Sequence, residues 1–237
     1  MEILVLEHEQ ESHVCLLGEW ASERGHVLRL LDVPSLAYWP EPEEADAIVS
    51  LGSDESVHAS GERWIAEEVS FLRDAHGAGV PVLGICFGAQ ALAAALGGDV
   101  TRATFVEVGW TPLVDHDAEL LPPGPWFRWH EDVFSTPPGA REIARSPAGP
   151  LAFVLDESIG LQFHPEVDEA LVREWIAGAR RQLTELPVDE HALLREISAG
   201  AEGATARAAK LFDQIAARWA TACENRTGHG ERGAKSS

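Results

Sequence analysis

Short apolar runs alternate with amphipathic segments along the first hundred residues of the chain. The apolar runs predict buried strands over residues 3–6, 26–31, 47–51 and 80–85. The segments between them predict helices over residues 13–23, 62–76 and 88–96, and glycines close the last two. This alternation of strands and helices predicts an α/β fold in which helices cover both faces of a mostly parallel sheet.

The pattern changes after residue 100. Short alternating segments, separated by Pro and Gly, predict a small antiparallel region over residues 104–110, 126–134, 142–145 and 151–155. A strand over 159–163 follows, and then a helix over 168–184 with Asp168 as its N-cap. We therefore expect one domain over residues 1–186, a helical C-terminal extension over 187–224 that packs on it, and a polar, Gly-rich disordered tail over 225–237.

Residues 82–90 predict a strand, a tight turn and a helix, with Cys86 in the turn. Gly84 and Gly88 stand two residues before and after it, as a sharp turn requires, because flanking Cβ atoms would collide with the neighbouring chain. The helix N-terminus favours thiolate over thiol at Cys86. The amide of the next residue, Phe87, would point toward a tetrahedral oxyanion. Cys86 is therefore predicted to be a catalytic nucleophile, whereas the other two cysteines are expected to be buried apolar residues.

A general base and its orienting partner are predicted just past the last apolar run. His164 follows residues 159–163, Glu166 stands two residues later, and Pro165 stiffens the link. Because the carboxyl ends of parallel strands meet at one edge of a sheet, we expect His164 in the same crevice as Cys86. The histidine would move the thiol proton, and the glutamate would orient the ring. The other histidines outside this region are expected at the surface or at caps: His8, His13, His26, His58, His76, His116, His191 and His229.

Composition excludes several functions. Acidic residues outnumber basic ones by 39 to 18, and the resulting charge of −21 would repel nucleic acid and anionic lipid. Three cysteines indicate neither a disulfide framework nor a zinc site, and no histidine pair has metal-ligand spacing, so no metal or cofactor is expected. The start of the chain lacks a basic leader, and no apolar run could span a bilayer. We expect a cytoplasmic protein.

These motifs together resemble the class I glutamine amidotransferases, and in particular their stand-alone, GMP-synthase-like group. The resemblance covers roughly residues 45–177 and is carried by GICFGAQ at 84–90, GW at 109–110, FRWH at 127–130 and GLQFHPE at 160–166. It implies an open, doubly wound, flavodoxin-like sheet. It also implies a hydrolase that releases ammonia from a γ-glutamyl amide through a γ-glutamyl thioester on the cysteine.

The resemblance also implies oxyanion and substrate-binding residues. Gly52 corresponds to the glycine whose N–H joins that of Phe87 in the oxyanion hole, although Ser53 follows it where the family usually has a Gly-Pro turn. Gln90 corresponds to the glutamine that binds the amino-acid end of the substrate. It lies one helical turn past Cys86, on the same face of the helix.

A second substrate-binding segment is implied at Trp129, His130 and Glu131, where the family holds its substrate largely through backbone atoms. Many members have glycine in place of Glu131, and a carboxylate there would alter how the substrate's α-carboxylate is received. A purely structural role for His130 is an equal alternative.

Three functions stay open from the sequence. The small-molecule substrate is glutamine, or it is another γ-glutamyl compound, an alternative suggested by Glu131. The third is an ammonia-donating subunit that is inactive without a separate synthetase partner, because the chain has no GxxxxGK[ST] phosphate loop. Apolar positions of the extension would cover either such a partner or the domain's own core, and we favour the core: Leu193, Leu194, Ile197, Leu211, Phe212, Ile215 and Trp219.

Overall fold

The computed structural model describes residues 1–8, 14–58, 61–179 and 190–233, and side chains within 190–192 and 224–233 lie outside that description. The strands are β1 (Glu2–Glu7), β2 (Val27–Asp32), β3 (Ala47–Ser50), β4 (Val82–Ile85), β5 (Val100–Thr111), β6 (Asp115–His116), β7 (Trp126–Phe134), β8 (Arg141–Ser146), β9 (Gly149–Leu155) and β10 (Ser158–Leu161). The α-helices are α1 (Cys15–Arg24), α2 (Arg63–Gly77), α3 (Phe87–Ala95), α4 (Glu169–Gly178), α5 (Glu190–Ala201) and α6 (Ala204–Gly233). Short 3-10 helices occupy Val33–Ser35 and Pro42–Glu44.

The main sheet has the strand order β2-β1-β3-β4-β10-β9-β8-β6. Its first five strands are parallel, and the other three are added through successive antiparallel pairings: β9 on β10, β8 on β9 and β6 on β8. The predicted mostly parallel α/β fold is therefore confirmed. Strands β4 and β10 are neighbours, with Leu161 opposite Ile85. This pairing brings the carboxyl ends of two strands that are distant in sequence to the same point of the sheet edge.

Alternate side chains of the parallel strands enter two apolar layers. In β1, Ile3 and Val5 join a layer that includes residues of α1 and α6, while Leu4 and Leu6 join one that includes residues of α2 and α3. All four β1 side chains are fully buried. A run of consecutive apolar residues at the centre of a short strand is what a sheet covered on both faces requires.

Strands β5 and β7 form a separate two-stranded antiparallel ribbon. Phe127 of the ribbon joins a third apolar cluster with residues of α4 and α5. The chain of α5 approaches β5 closely, since a Cβ added to Gly200 would lie 2.3 Å from Cγ of Trp110. The ribbon is thus held between the sheet edge and the C-terminal helices.

The C-terminal helices bury their apolar faces on the rest of the chain. Six of the seven apolar positions singled out in the extension are buried, and the seventh, Leu194, is partly buried against the third cluster: Leu193, Ile197, Leu211, Phe212, Ile215 and Trp219. Asp213 of α6 also accepts hydrogen bonds from Trp20 and Arg24 of α1. These side chains therefore serve the protein's own core.

Element ends differ from expectation near the C-terminus. Asp168 caps α4 as predicted and accepts a hydrogen bond from the amide of Leu171 at 2.8 Å. The helix ends at Gly178, and residues 180–184 of the predicted helix lie outside the described residues. Helix α6 continues to Gly233, where the sequence predicted a disordered tail from residue 225. No helix in the described part of the chain is long and apolar enough to cross a membrane.

Candidate active site

Cys86 occupies a strained turn between β4 and α3. Its backbone has φ +52° and ψ −107°, a conformation that side-chain-bearing residues rarely adopt. The turn requires glycine on both sides of Cys86. A Cβ on Gly84 would lie 2.4 Å from the carbonyl oxygen of Gly88. A Cβ on Gly88 would lie 2.1 Å from the carbonyl oxygen of Ser50 in β3. Only glycine fits at either position, as the sequence predicted.

His164 and Glu166 stand beside this turn, just past the end of β10. The amide of His164 donates to the carbonyl of Phe127 at 2.8 Å, which ties the residue to the β5–β7 ribbon. Its Nδ1 lies 2.7 Å from Oε1 of Glu166, and both side chains are buried. The Trp175 ring packs edge-on against the imidazole, with ring centroids 5.0 Å apart. The ring is therefore fixed in both position and orientation.

The imidazole of His164 is electrostatically coupled to both neighbours. Burial by itself lowers the pKa of this ring, but the charges of Glu166 and of the Cys86 thiolate, together with hydrogen bonds to both, raise it to about 10. The ring therefore carries a proton at neutral pH. A protonated imidazole beside a thiol favours the thiolate, so the arrangement suits a nucleophilic cysteine.

Gly52 lies directly against these two residues, at the end of β3. A Cβ added there would be 3.1 Å from Cε1 of His164 and 3.8 Å from Cβ of Cys86. The amide of Phe87 is the first of α3, and the first N–H groups of a helix have no acceptor within the helix. The two residues predicted to form an oxyanion hole are thus placed beside the cysteine.

Gln90 and Gln162 form a buried amide chain that ends at the cysteine. The side chain of Gln90 donates to the carbonyl of Asp132 at 3.2 Å and to Oε1 of Gln162 at 3.3 Å. Nε2 of Gln162 in turn lies 3.6 Å from Sγ of Cys86 and donates to it. Gln162 belongs to one of the sequence motifs, but no role was predicted for it. Its contact with the sulfur depends on the pairing of β4 with β10, which the sequence pattern does not show.

Strand β7 closes the other side of the site. The carbonyl oxygen of Trp129 lies 3.7 Å from Sγ of Cys86. The ring of His130 is instead held in a polar cluster, with Nε2 3.1 Å from Oε2 of Glu107. Arg128 also donates to Glu107, at 3.0 Å. The backbone of this segment faces the cysteine, and the side chain of His130 anchors the strand.

Glu107 at the centre of that cluster is held as an anion. Burial by itself raises the pKa of this carboxyl, but hydrogen bonds from His130 and Ser146 and the charge of Arg128 hold it below its usual value. The charged cluster fixes β7 against β5, and with it the carbonyl group of Trp129 that faces Cys86.

A loop over residues 52–58 folds onto β7 through Asp132. Its carboxylate accepts a hydrogen bond from Ser56 and lies 3.2 Å from Nδ1 of His58. The other oxygen, Oδ1, is buried and accepts no hydrogen bond from any described residue. Glu131, the residue before Asp132, forms an ion pair with the exposed Arg102. We predicted a role for Glu131 from the sequence and none for Asp132. In the structure, however, it is Asp132 that has a buried oxygen without a hydrogen bond from any described residue.

His8 is buried, which corrects its expected place at the surface or at a cap. It follows β1, and its side chain has no exposed surface. Nδ1 lies 3.0 Å from the carbonyl oxygen of Gly52, and Nε2 lies 2.8 Å from Oε2 of Glu68. The one available signal in the sequence was its position just past the carboxyl end of a strand with an apolar centre.

The other cysteines lie outside this arrangement. Cys15 and Cys223 are partly exposed, not fully buried as expected. Burial, followed by the charge of Asp168, raises the pKa of Cys15 to about 11, so this thiol is unreactive at neutral pH. Within the ranges that the structure describes, no group of three or more His, Cys, Asp and Glu side chains could hold a metal ion.

Comparison with sequences gives one family. Residues 34–173 match the family model described as glutamine amidotransferase class-I. Among curated relatives, the glutamine-hydrolysing GMP synthase of Parafrankia sp. is 36% identical over 130 residues, which is 51% of this chain and 23% of that protein. The GMP synthase of Thermus thermophilus is 38% identical over 140 residues, or 50% of this chain and 26% of that protein. The chain thus spans about a quarter of the length of these relatives.

Solved structures match over almost the whole chain. A glutamine amidotransferase from Thermotoga maritima superposes with a TM-score of 0.79 at 25% identity, covering 91% of this chain and 97% of that one. A glutamine amido transferase from Methylobacillus flagellatus superposes with a TM-score of 0.80 at 26% identity, covering 93% and 94%.

Proposed function

Because this chain belongs to the class I glutamine amidotransferase family, we propose that it hydrolyses the side-chain amide of glutamine and releases ammonia, with Cys86 as nucleophile. The observation that supports this most directly is the contact of His164 with Glu166 on one side and with Cys86 on the other. The three side chains stand at the ends of adjacent strands. They form a Cys-His-Glu triad in which each member has the neighbour that its role requires.

The proposed reaction has two halves. The thiolate of Cys86 attacks the amide carbon of glutamine, and the C=O electrons move onto oxygen to give a tetrahedral oxyanion. Protonated His164 gives its proton to the amide nitrogen, the C–N bond breaks, and ammonia leaves. Water then attacks the γ-glutamyl thioester while His164 takes its proton. Glutamate departs and the thiolate is restored. Glu166 stays ionised throughout and orients the ring.

The oxyanion would be held by the amide N–H groups of Phe87 and Gly52. Both residues lie against Cys86, and backbone donors fixed before the reaction stabilise developing charge without reorganisation. The strained turn at Cys86 places the amide of Phe87, the first of α3, directly after the nucleophile.

We place the amino-acid end of the substrate between Gln90 and Asp132. Oδ1 of Asp132 is a buried carboxylate oxygen without a hydrogen bond in the described part of the chain, and a substrate α-ammonium would satisfy it. Arg102 is the nearby cation, with NH1 3.9 Å from the same oxygen, and it would be available for the α-carboxylate. Trp129 contributes backbone, and Glu131 holds Arg102 in place.

A second candidate is ammonia supply to a separate synthetase. It is favoured by the alignment, since the chain spans about a quarter of relatives that are named GMP synthases. In this case the same chemistry at Cys86 runs only when the partner is bound. Little free glutaminase activity in the purified chain, together with a large increase on adding a synthetase, would support this candidate.

The proposal is tested by ammonia release from glutamine by the purified chain and its Cys86→Ala variant. We expect release by the wild type and none above background by the variant. Cys15→Ala is the matched control and should retain activity. Equal ammonia release by Cys86→Ala and wild type would overturn the proposal. A panel of γ-glutamyl peptides and amines, assayed in parallel, decides whether glutamine is preferred over other γ-glutamyl compounds.

A further inference from the structure

A buried polar cluster lies directly behind the predicted oxyanion hole. His8 follows β1, Ser50 ends β3 and Glu68 lies in α2, and the side chains of His8 and Glu68 have no exposed surface. Oγ of Ser50 donates to Oε1 of Glu68 at 2.6 Å, and Oε2 lies 2.8 Å from Nε2 of His8. Ionisable side chains are rarely buried this completely unless they are paired, and here His8 and Glu68 pair with each other.

Donor and acceptor chemistry fixes how His8 faces Gly52. The carbonyl oxygen of Gly52 can only accept, so Nδ1 of His8 must carry the hydrogen of that 3.0 Å bond. One proton then lies between Nε2 of His8 and Glu68, whether the pair is a neutral imidazole with a carboxylic acid or an imidazolium with a carboxylate. Glu68 and Ser50 therefore hold His8 in the one arrangement that donates to Gly52.

Hydrogen bonds fix both peptide groups that flank Gly52. On one side, the carbonyl of Leu51 accepts a hydrogen bond from the amide of Gly88 at 3.0 Å. On the other, the carbonyl of Gly52 accepts from His8. A trans peptide is planar, so its N–H points opposite to its C=O. The bond to Leu51 therefore sets the direction of the N–H of Gly52, and the bond from His8 sets that of Ser53 and restrains the backbone of Gly52 from its other side.

His8 also touches the second predicted oxyanion donor. The ring of Phe87 packs against the imidazole of His8 in a T-shaped arrangement, with centroids 4.9 Å apart. Trp64 stacks on the other side of the imidazole at 5.2 Å. One buried histidine thus contacts both residues whose amides would receive the oxyanion.

We propose that His8, held by Glu68 and Ser50, is a positioning residue: by fixing the Gly52–Ser53 peptide it restrains the backbone of Gly52, so that the N–H of the preceding Leu51–Gly52 peptide, whose carbonyl binds Gly88, stays in the oxyanion hole. This inference rests on the proposed amide hydrolysis at Cys86. His8 does not act as a second base, because both of its nitrogens are engaged within the cluster, with Gly52 and Glu68. It reaches the substrate only indirectly, through its contacts with the backbone of Gly52 and with the ring of Phe87.

Two isosteric substitutions of His8 separate its two contacts. His8→Asn keeps a donor at the position of Nδ1 and so can still bind the carbonyl of Gly52. His8→Gln keeps a donor at the position of Nε2, toward Glu68, and leaves that carbonyl unbonded. Loss of a whole oxyanion donor lowers kcat about 10²- to 10³-fold. A displaced donor should cost less, so we expect His8→Gln to lower kcat about 10- to 100-fold and to change KM less than about threefold. The kcat of His8→Asn should stay within about fivefold of the wild-type value.

Alkylation of Cys86 by iodoacetamide distinguishes positioning from general damage. This displacement at a saturated carbon forms no oxyanion, so its rate should be the same in His8→Gln and wild type. His76→Gln is the matched control, since His76 binds Ser158 at 3.0 Å away from the site, and it should leave kcat unchanged. Wild-type kcat in His8→Gln would overturn the inference, as would a parallel fall of kcat and alkylation rate.

A second pair of variants decides the question if His8→Gln does not fold. Glu68→Gln can still accept from Ser50 and donate to Nε2 of His8, so the bond to Gly52 survives and kcat should stay within about fivefold of wild type. Glu68→Leu removes that restraint and should lower kcat about tenfold or more with alkylation unchanged. Equal kcat in the two variants would overturn the inference. Failure of the proposed function looks different, because wild type itself would then release no ammonia.

Discussion

Replacing Glu166 with glutamine removes one negative charge beside His164 and keeps the size and shape of the side chain. In the wild type the contact between Nδ1 and Oε1 is 2.7 Å and is buried from water. The charges of Glu166 and Cys86 overcome burial and raise the pKa of the His164 ring to about 10. Without the carboxylate, burial pulls the pKa of the ring down. We predict that Glu166→Gln loses the protonated imidazole, and the thiolate that it favours, at neutral pH.

The size of this effect follows from the raised pKa. A change from 6.5 to about 10 corresponds to about 5 kcal/mol in favour of the protonated ring, at about 1.4 kcal/mol for each pKa unit. Glu166 and Cys86 both contribute to this free energy. Removal of one member of a buried charge pair costs about 3–5 kcal/mol. The population of the reactive pair should therefore fall about 10²- to 10⁴-fold, with kcat/KM for glutamine falling in proportion.

The assay measures iodoacetamide alkylation of Cys86 and ammonia release from glutamine from about pH 5 to about pH 10. At neutral pH the alkylation rate should be lower for Glu166→Gln than for wild type, because the variant lacks the protonated imidazole beside the thiol. Glu169→Gln is the control, because Glu169 lies three residues on but is exposed and pairs with Arg173. It should behave as wild type.

Stability gives an independent check with a definite sign. The pKa of His164 is raised in the folded state, so the protonated ring stabilises the fold fully below about pH 6.5 and this contribution is lost as the pH rises toward 10. The difference in free energy of unfolding between wild type and Glu166→Gln should shrink over that range. An alkylation profile for Glu166→Gln identical to wild type would refute the coupling of Glu166, His164 and Cys86.

Two further predictions concern the same turn. Iodoacetamide should label Cys86 before Cys15 at neutral pH, because the pKa of Cys15 is raised to about 11, and equal labelling in peptide maps would contradict this. Gly88→Ala should lower kcat/KM by about 10²-fold or more, since its Cβ would lie 2.1 Å from the carbonyl oxygen of Ser50 and a displacement of about 1 Å suffices for such a loss. Gly61→Ala, whose Cβ meets nothing within 4 Å, should keep wild-type activity, and similar activities of the two variants would argue against a sterically fixed turn.

Local chemistry explains why the catalytic segments could be predicted from the sequence. The glycines around Cys86 have a steric cause that acts within five residues, and the structure shows the contacts that a Cβ would violate. His164 and Glu166 are two residues apart, so their contact follows from one strand end. The sequence predicted that His164 lies in the same crevice as Cys86, at the carboxyl ends of the strands, but not that β4 and β10 are neighbours, which the sheet order shows.

The cluster behind Gly52 could not be predicted in the same way. His8 and Glu68 are separated by 60 residues, and their contact depends on how α2 packs against the sheet. A single histidine after an apolar run has many possible environments. Asp132 was missed for a related reason, because its unsatisfied oxygen depends on how the 52–58 loop folds onto β7. Both residues act through tertiary contacts that no local pattern records.

The central claim is that Cys86 carries the γ-glutamyl group during turnover, and the most direct measurement is mass spectrometry of the acid-quenched protein shortly after mixing with glutamine. We predict a γ-glutamyl adduct on the peptide that contains Cys86, formed within one turnover and lost as glutamate appears. Cys15 and Cys223 should stay unmodified, and no adduct should form in Cys86→Ala. Ammonia release without any adduct on Cys86, or an adduct on another residue that persists in Cys86→Ala, would contradict the claim.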